Sequence, residues 1–398
     1  MRTIPDKIDR FMRDNLDVMF PAAALAVYHR DELVLDAAWG WIDPETRQMP
    51  VTPETRFDFA SLTKLFTTTA FLTLVSEGRT SLDMPLITAV PEFGAESPRP
   101  IDGGQDPHSK AYLPTPPERA GQMVDPARVT YFHLLTHTSG LPPWRDVYRA
   151  AGEAPPPPTE PDPIPRAERW SRGLAAMCRY AFVAQPGREV RYSDIGLMLL
   201  GEALSRLHGT PGALEHAIQA RALDRLGLAE VGFNPVAAGV PLMHIPPTEI
   251  DPTWRKRRVW GQVHDENACG VGGVAGHAGL FGTARAVARL GRAWVSGKVP
   301  DVAPELVAAA VSEQAVTGNE RRGLGWMLRS HQGSSAGDRF GPRAYGHTGF
   351  VGNSLWIEPD QGLVVACLTN SVYRGREKGG ILEFRRALHD LVWETFCA

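Results

Sequence analysis

The chain has 398 residues, 43% of them hydrophobic and 22% charged, which is long enough for two lobes and too apolar overall for a disordered chain. A net charge of −3 leaves no electrostatic footprint for nucleic acid or an anionic membrane, so the expected partner is a small molecule or peptide. No segment carries about 18 unbroken apolar residues. Residues 1–13 also lack the apolar core and cleavage site of a signal peptide, and the expected location is cytoplasmic.

Ile4, Ile8, Phe11, Met12, Leu16 and Met19 fall near helical spacing and predict an amphipathic first helix. Two apolar runs, Ala22 to His29 and Leu33 to Trp39, predict an antiparallel hairpin. After Ser61 and up to Val75 the residues other than Lys64 are apolar or Thr on every side, which predicts a helix buried all round and ending near Gly78. Residues 91–128 and 142–165 are rich in Pro and Gly, with Pro155 to Pro158 a stiff spacer, and read as surface excursions that can wall a binding site. Between them, Thr130 to Leu141 predicts a short helix stopped by Gly140 and Pro142. Arg166 to Tyr180, Asp194 to Leu207 and Leu214 to Leu226 have helical spacing. Helices are also predicted over Ala284 to Val295 and Pro304 to Ser312, then strands over Leu324 to Arg329, Asn353 to Glu358 and Leu363 to Thr369, and a closing helix over Ile381 to Phe396. This order predicts an α+β fold. One antiparallel sheet with terminal helices is expected from residues 1–55 and 280–398, and a mostly helical lobe from residues 56–279, with a cleft between them.

Ser61 and Lys64 are the reactive pair in the buried helix. Residues three apart on a helix have Cβ atoms about 5–6 Å apart, so the Lys64 amine reaches the Ser61 hydroxyl. Only six of the 42 basic residues are Lys. A guanidinium keeps its proton, whereas a desolvated ammonium can lose one, so Lys is the basic residue that can act as a base here. A Ser at a helix start also has backbone N–H groups nearby to stabilise an oxyanion.

Other features read as structural. His133 and His137 are an i,i+4 pair without an intervening Glu or an obvious third ligand, and are expected to be packed and hydrogen-bonded rather than metal-bound. No metal or cofactor is required. Cys178, Cys269, Cys367 and Cys397 show no C-x-x-C spacing and read as core fillers. Arg255-Lys256-Arg257-Arg258 reads as a solvated face. The glycines from Gly270 to Gly276 lack the strand-to-helix context of a dinucleotide site.

Tyr192-Ser193-Asp194 follows an extended segment and opens a helix, and His347-Thr348-Gly349 precedes a predicted strand. With Ser61-x-x-Lys64 these make three ordered motifs, and the chain resembles the serine β-lactamase and penicillin-binding protein superfamily. The resemblance extends to Leu134 to Leu141 and Gly276 to Phe281, which are similar to segments of the class C-like branch with its family VIII carboxylesterases. Val263-His264-Asp265-Glu266-Asn267-Ala268 is similar to a subgroup with cytoplasmic muropeptide amidases, and has no assigned role here. The resemblance implies that Ser61 forms an acyl-enzyme while Lys64 and Tyr192 move its proton. It implies that the Ser61 and Phe350 N–H groups bind the oxyanion, that Thr348 and Gly349 line the strand along which the acyl group lies, and that His347 assists Tyr192 electrostatically.

Two departures shape the expected activity. Asp194 stands where many members have Asn, and a carboxylate cannot donate to a substrate amide carbonyl. If it touches Lys64 it also favours the ammonium, which argues against efficient β-lactam or peptide turnover. His347 in place of Lys removes a permanent cation. A carboxylesterase-type serine hydrolase acting on a small ester, amide or peptide is the leading expectation. An amidase or peptidase of cell-wall fragments, a weak β-lactamase, and a non-turnover penicillin-binding sensor are the alternatives.

Overall fold

The hairpin at residues 22–40 forms one end of an eight-stranded sheet. In the computed structural model, which describes residues 3–107, 109–376 and 379–398, β1 (Ala22–His29) and β2 (Glu32–Gly40) pair antiparallel around Arg30 and Asp31, both at positive φ as a tight two-residue turn requires. Six strands from the C-terminal part complete the sheet: β3 (Ala315–Thr317), β4 (Glu320–Arg322), β5 (Met327–Leu328), β6 (Tyr345–Thr348), β7 (Ser354–Glu358) and β8 (Leu363–Thr369). Their spatial order is β3-β4-β5-β6-β7-β8-β1-β2 and every pairing is antiparallel. The sheet is thus built from both chain ends, as the order of predicted elements implied.

Alternate residues of β1 enter two different cores. Ala23, Leu25 and Val27 pack with Ile8 and Met12 of the first helix (Asp6–Asn15) and with Phe384, Leu388 and Val392 of the closing helix (Ile381–Phe396). Ala22, Ala24 and Ala26 pack on the other face with Ala286, Val287 and Leu290 of the helix Ala284–Val295. That second core is continuous with the helical region, where it takes in Leu65, Phe66, Leu199 and Leu200. At the entry to and exit from the helical region, Phe57–Asp58 and Leu280–Gly282 pair with each other in a separate three-stranded sheet completed by Gly232–Phe233.

Strand prediction failed where segments were short. The Leu324 to Arg329 run shrinks to Met327–Leu328, because Gly325 has φ +74° and its N–H goes to the Leu135 carbonyl instead of a neighbouring strand. The β3–β4 hairpin and β6 were not predicted, having too few residues to show a period of two.

The Thr63–Ser76 helix is buried on all sides from Thr63 to Leu74. Three of its hydroxyls are accommodated because Thr69 and Thr73 donate to carbonyls one turn back, Leu65 at 2.7 Å and Ala70 at 2.8 Å, while Thr67 donates to the Gly276 carbonyl at 2.8 Å. The glycine-rich run meets the helix Asp194–His208 here. A Cβ on Gly276 would lie 2.2 Å from the Leu197 carbonyl oxygen, so glycine is required by a close backbone approach rather than by a phosphate. Gly276→Ala is therefore expected to destabilise the fold by about 1–3 kcal/mol or more through overpacking. Chemical denaturation would register this as a lower midpoint, and an unchanged midpoint would show that the contact relaxes freely.

Candidate active site

Ser61 sits in a single 3-10 turn, Ala60–Leu62, that leads into the Thr63–Ser76 helix. The turn starts from Ala60 at φ +47°, a strained conformation for a residue with a Cβ. Buried Asp58 holds it in place: Oδ1 accepts from the Ala60 N–H at 2.8 Å and Oδ2 from the His264 N–H at 2.7 Å. The Asn353 amide donates to the Asp58 carbonyl at 2.8 Å, tying the turn to the sheet. Burial pushes the Asp58 carboxyl up, against those two backbone donors.

Lys64 Nζ lies 2.8 Å from Ser61 Oγ and donates to the His277 carbonyl at 3.2 Å. It is also 2.8 Å from Asp194 Oδ1, with the alignment of an ion pair rather than a hydrogen bond. Burial pulls the Lys64 ammonium down, but the charge of Asp194 and the Tyr192 phenol outweigh it and the net shift is upward. Burial raises the Tyr192 phenol, and the opposing pull of Lys64 does not cancel that. The resting state is therefore a Lys64 ammonium, 4.9 Å from the Tyr192 ring centre, beside a neutral Tyr192 phenol. Tyr192 and Asp194 are positioned by Ser193, whose Oγ caps the helix Asp194–His208 by accepting from the Gly196 N–H at 3.0 Å and donates to the Pro142 carbonyl at 2.7 Å.

His347 and Thr348 end β6, past the last residue of that strand that β5 pairs, Gly346. The His347 ring lies 5.9 Å from the Tyr192 ring. Burial, then Lys64 and Arg322, push the imidazole down to about 3, so it is neutral at pH 7 and offers no positive charge to Tyr192. Its Nδ1 lies 2.8 Å from the Thr348 carbonyl, which makes it the N–H donor and leaves Nε2 as an acceptor with no protein partner. Gly349 and Asn353 are held by Arg385, whose Nη2 donates to both carbonyls at 2.8 and 2.9 Å, and this fixes the loop that carries Phe350.

Ser61 lies where two cavities meet. One, of about 700 Å³, is also lined by Arg191, Tyr192, Arg322, His347, Thr348 and Gly349. The other, of about 230 Å³, is lined by Lys110, Trp144, Asp194, Asp265 and Glu266. Tyr192, Phe350 and Arg376 border both. All eight residues singled out from the sequence, Ser61, Lys64, Tyr192, Asp194, His347, Thr348, Gly349 and Phe350, fall around this junction.

The structure adds residues that the motifs did not mark. His137 packs on the Tyr192 ring at 4.6 Å and its Nδ1 accepts from the Ser193 N–H at 3.1 Å, so it supports the Tyr-x-Asp turn. Asp265 pairs with His277 at 2.8 Å behind Lys64. Burial pushes the Asp265 carboxyl up, but His277 overrides it and leaves the group below its ordinary range. Among the described residues, Asp194, Asp265 and His277 bring ligand-type atoms within 4.8 Å of one another, and the Lys64 ammonium supplies the positive charge at that cluster.

The Val263–Ala268 segment lines the smaller cavity. His264 stacks on Phe350 at 5.6 Å, Asp265 caps the helix Glu266–Gly270, Glu266 pairs with Arg376 at 2.7 Å, and Asn267 bridges Tyr148 and Arg145. In the basic run beside it Lys256 is exposed, but the run as a whole is not a solvated face. Arg255 is buried, pairs with Asp251 at 3.0 Å and donates to the carbonyls of Val263 and His264, so it holds this segment down. Cys178, Cys269 and Cys367 are buried free thiols, and Cys397 is partly buried.

The family model described as β-lactamase matches residues 8–388. The sequence is 28% identical to a putative D-alanyl-D-alanine carboxypeptidase of Escherichia coli over 391 residues, covering 92% of this chain and 82% of that protein. The fold is shared with simvastatin synthase LovD from Aspergillus terreus at a TM-score of 0.72, with 17% identity and 98% of both chains covered. It is shared with EstCE1, a hydrolase with promiscuous acyltransferase activity, at a TM-score of 0.69, with 18% identity, covering 96% of this chain and 97% of that one. No helix among the described residues is long and apolar enough to cross a membrane. The antiparallel sheet and the family match together identify the chain as a serine hydrolase of the β-lactamase family.

Proposed function

We propose that the chain hydrolyses carboxylic esters through an acyl-enzyme on Ser61. The observation that carries this reading is the Ser61–Lys64–Tyr192 cluster at the junction of the two cavities, with Asp194 on Lys64 instead of a neutral donor.

The reactive form is the one in which the Lys64–Tyr192 pair has released one proton. The Ser61 Oγ–H proton then passes to that pair as Oγ bonds to the substrate carbonyl carbon, and the oxyanion is received by the N–H groups of Ser61 and Phe350. Collapse expels the leaving oxygen, which takes the proton from the pair, and leaves Ser61 acylated. Water attacks the acyl carbonyl and gives up a proton to the pair, and as the acyl–Oγ bond breaks Ser61 Oγ takes that proton back, which releases the acid and free Ser61. Thr348 and Gly349 line the acyl path at the end of β6, and neutral His347 offers its Nε2 lone pair there. An alkoxide or phenolate departs more easily than an amine, so a cluster whose base is held in its charged form favours esters over amides.

A second reading, hydrolysis of an amide in a peptide or cell-wall fragment, is favoured by the name of the Escherichia coli relative. Either way the substrate is a small ester, amide or peptide.

Incubation with a slowly turned-over p-nitrophenyl ester should yield one acyl adduct, on the Ser61 peptide by mass spectrometry, and Ser61→Ala should lose at least about a thousandfold in kcat/KM. An adduct elsewhere, or an active Ser61→Ala, would contradict the assignment. A stoichiometric burst with no steady rate would mark a chain that acylates and stops.

Asp194→Asn restores a donor of the same size where an acyl-side amide carbonyl would otherwise lack one. The kcat/KM ratio of a chromogenic cephalosporin to a short-chain p-nitrophenyl ester should rise about tenfold in the variant. An unchanged ratio would mean that Asp194 does not set the choice of bond.

A further inference from the structure

The larger cavity is lined by two unlike surfaces. One is charged, and its cations are already partnered. Arg191 pairs with Glu189 at 2.8 Å, and Arg322 with Glu320 at 2.7 Å, the Arg322 guanidinium carbon also lying 5.3 Å from the Tyr192 ring centre. Arg376 pairs with Glu266 at 2.7 Å, and Arg385 donates to the Gly349 and Asn353 carbonyls.

The other surface is apolar and comes from both ends of the chain. Met19, Met327 and Ile381 line it, and all three belong to the partly buried margin of the core around the terminal helices. A Cβ on Gly380, the residue before the closing helix, would lie 3.3 Å from Met19 Cε, so the Met19 side chain rests on the start of that helix. Val372, which packs with Ala60 and Val351, and Phe350, 47% exposed, continue the apolar lining toward the turn that carries Ser61. The nucleophile therefore opens onto a surface that an aliphatic group covers with a gain in free energy. The smaller cavity suits such a group less well, because Lys110, Asp194, Asp265 and Glu266 line it and would lose water to the chain. The larger one, at about 700 Å³, falls within the roughly 300–1,000 Å³ of small-molecule sites.

We propose that Met19, Met327, Val372 and Ile381 form a chain-binding subsite of the larger cavity, and that the substrates are esters carrying, in one half, an aliphatic chain of about six to ten carbons. This rests on the Ser61 acyl-enzyme reading above and adds the class of ester to it. Met19 and Ile381 belong to neither the relay nor the three motifs, and they determine chain length from the two ends of the sequence.

The test measures kcat/KM of the full-length enzyme for p-nitrophenyl esters of straight-chain acids and for acetate esters of straight-chain alcohols, with chains of about two to eight carbons. In wild type at least one series should gain about three- to fourfold per added CH2, chiefly through KM, and the series that does so identifies the half that enters the subsite. Ile381→Asp should flatten that series while its shortest ester is still hydrolysed. Asp suits the fold there, because Ile381 is the first residue of the closing helix and a carboxylate meets the positive end of the helix dipole. Met19→Trp narrows the subsite and should stop the gain at a shorter chain, a readout that remains if Ile381→Asp does not fold. No gain per CH2 in either wild-type series, the full gain kept in folded Ile381→Asp, or an unchanged length limit in Met19→Trp would each overturn the proposal. Failure of the Ser61 reading looks different: no ester of either series would be hydrolysed by wild type, or both series would be hydrolysed by Ser61→Ala.

Discussion

A buried ammonium 2.8 Å from both a serine hydroxyl and a carboxylate is the interaction on which the rest of this structure depends. Lys64 is 1% exposed, and a cation so placed is tolerated only when its surroundings return what desolvation removes. The charge of Asp194, the Tyr192 phenol and the His277 carbonyl do so here. Tyr192 and Asp194 come from one helix cap and His277 from the glycine-rich return, so the ion pair also records that the two helices and that return have closed around one point. The same interaction limits the chemistry, because a carboxylate that stabilises the ammonium lowers the population of free amine.

Much of the scaffold serves to hold that point still. Asp58 pins the strained Ala60 turn and the His264 backbone with the two oxygens of one carboxylate. Arg255 fastens the carbonyls of Val263 and His264, and His264 in turn stacks on Phe350. Arg385, from the closing helix, fastens Gly349 and Asn353 on the other side. The Val263–Ala268 segment thereby acquires a physical role as the wall of the smaller cavity. Its Asp265–His277 pair stands behind Lys64, and its Glu266 keeps Arg376 at the rim.

How much of this was legible in the sequence follows from the range of the interactions. Ser61 and Lys64 are three residues apart, so local geometry alone brings them together, and an apolar run with Thr hydroxyls is a local signal of a buried helix. Tyr192 and Asp194 flank a helix cap and are likewise locally ordered. The longer strands and the order of elements were readable because alternation and helical spacing persist over several residues. Arg322 carried no signal. It sits in a three-residue strand, among many arginines, and reaches Tyr192 only through pairings that join β4 to the rest of the sheet. Asp58 was hidden for the same reason, Asp265 and His277 lay in segments that the resemblance marked without pairing them, and the burial of Arg255 shows that a charge run can be an internal brace when carbonyls and Asp251 meet it.

Asp194 holds Lys64 in its charged form, and the pH dependence of acylation tests that directly. In wild type, kcat/KM for a neutral p-nitrophenyl ester should climb from about pH 6 into the alkaline range without a plateau near neutrality, since the upward-shifted ammonium must lose its proton before Ser61 can attack. In Asp194→Asn the raising influence is gone and burial pulls the other way, so the same limb should move to lower pH. Superimposable profiles for the two proteins, or a wild-type rate already flat through neutrality, would contradict the claim that this ion pair governs the nucleophile.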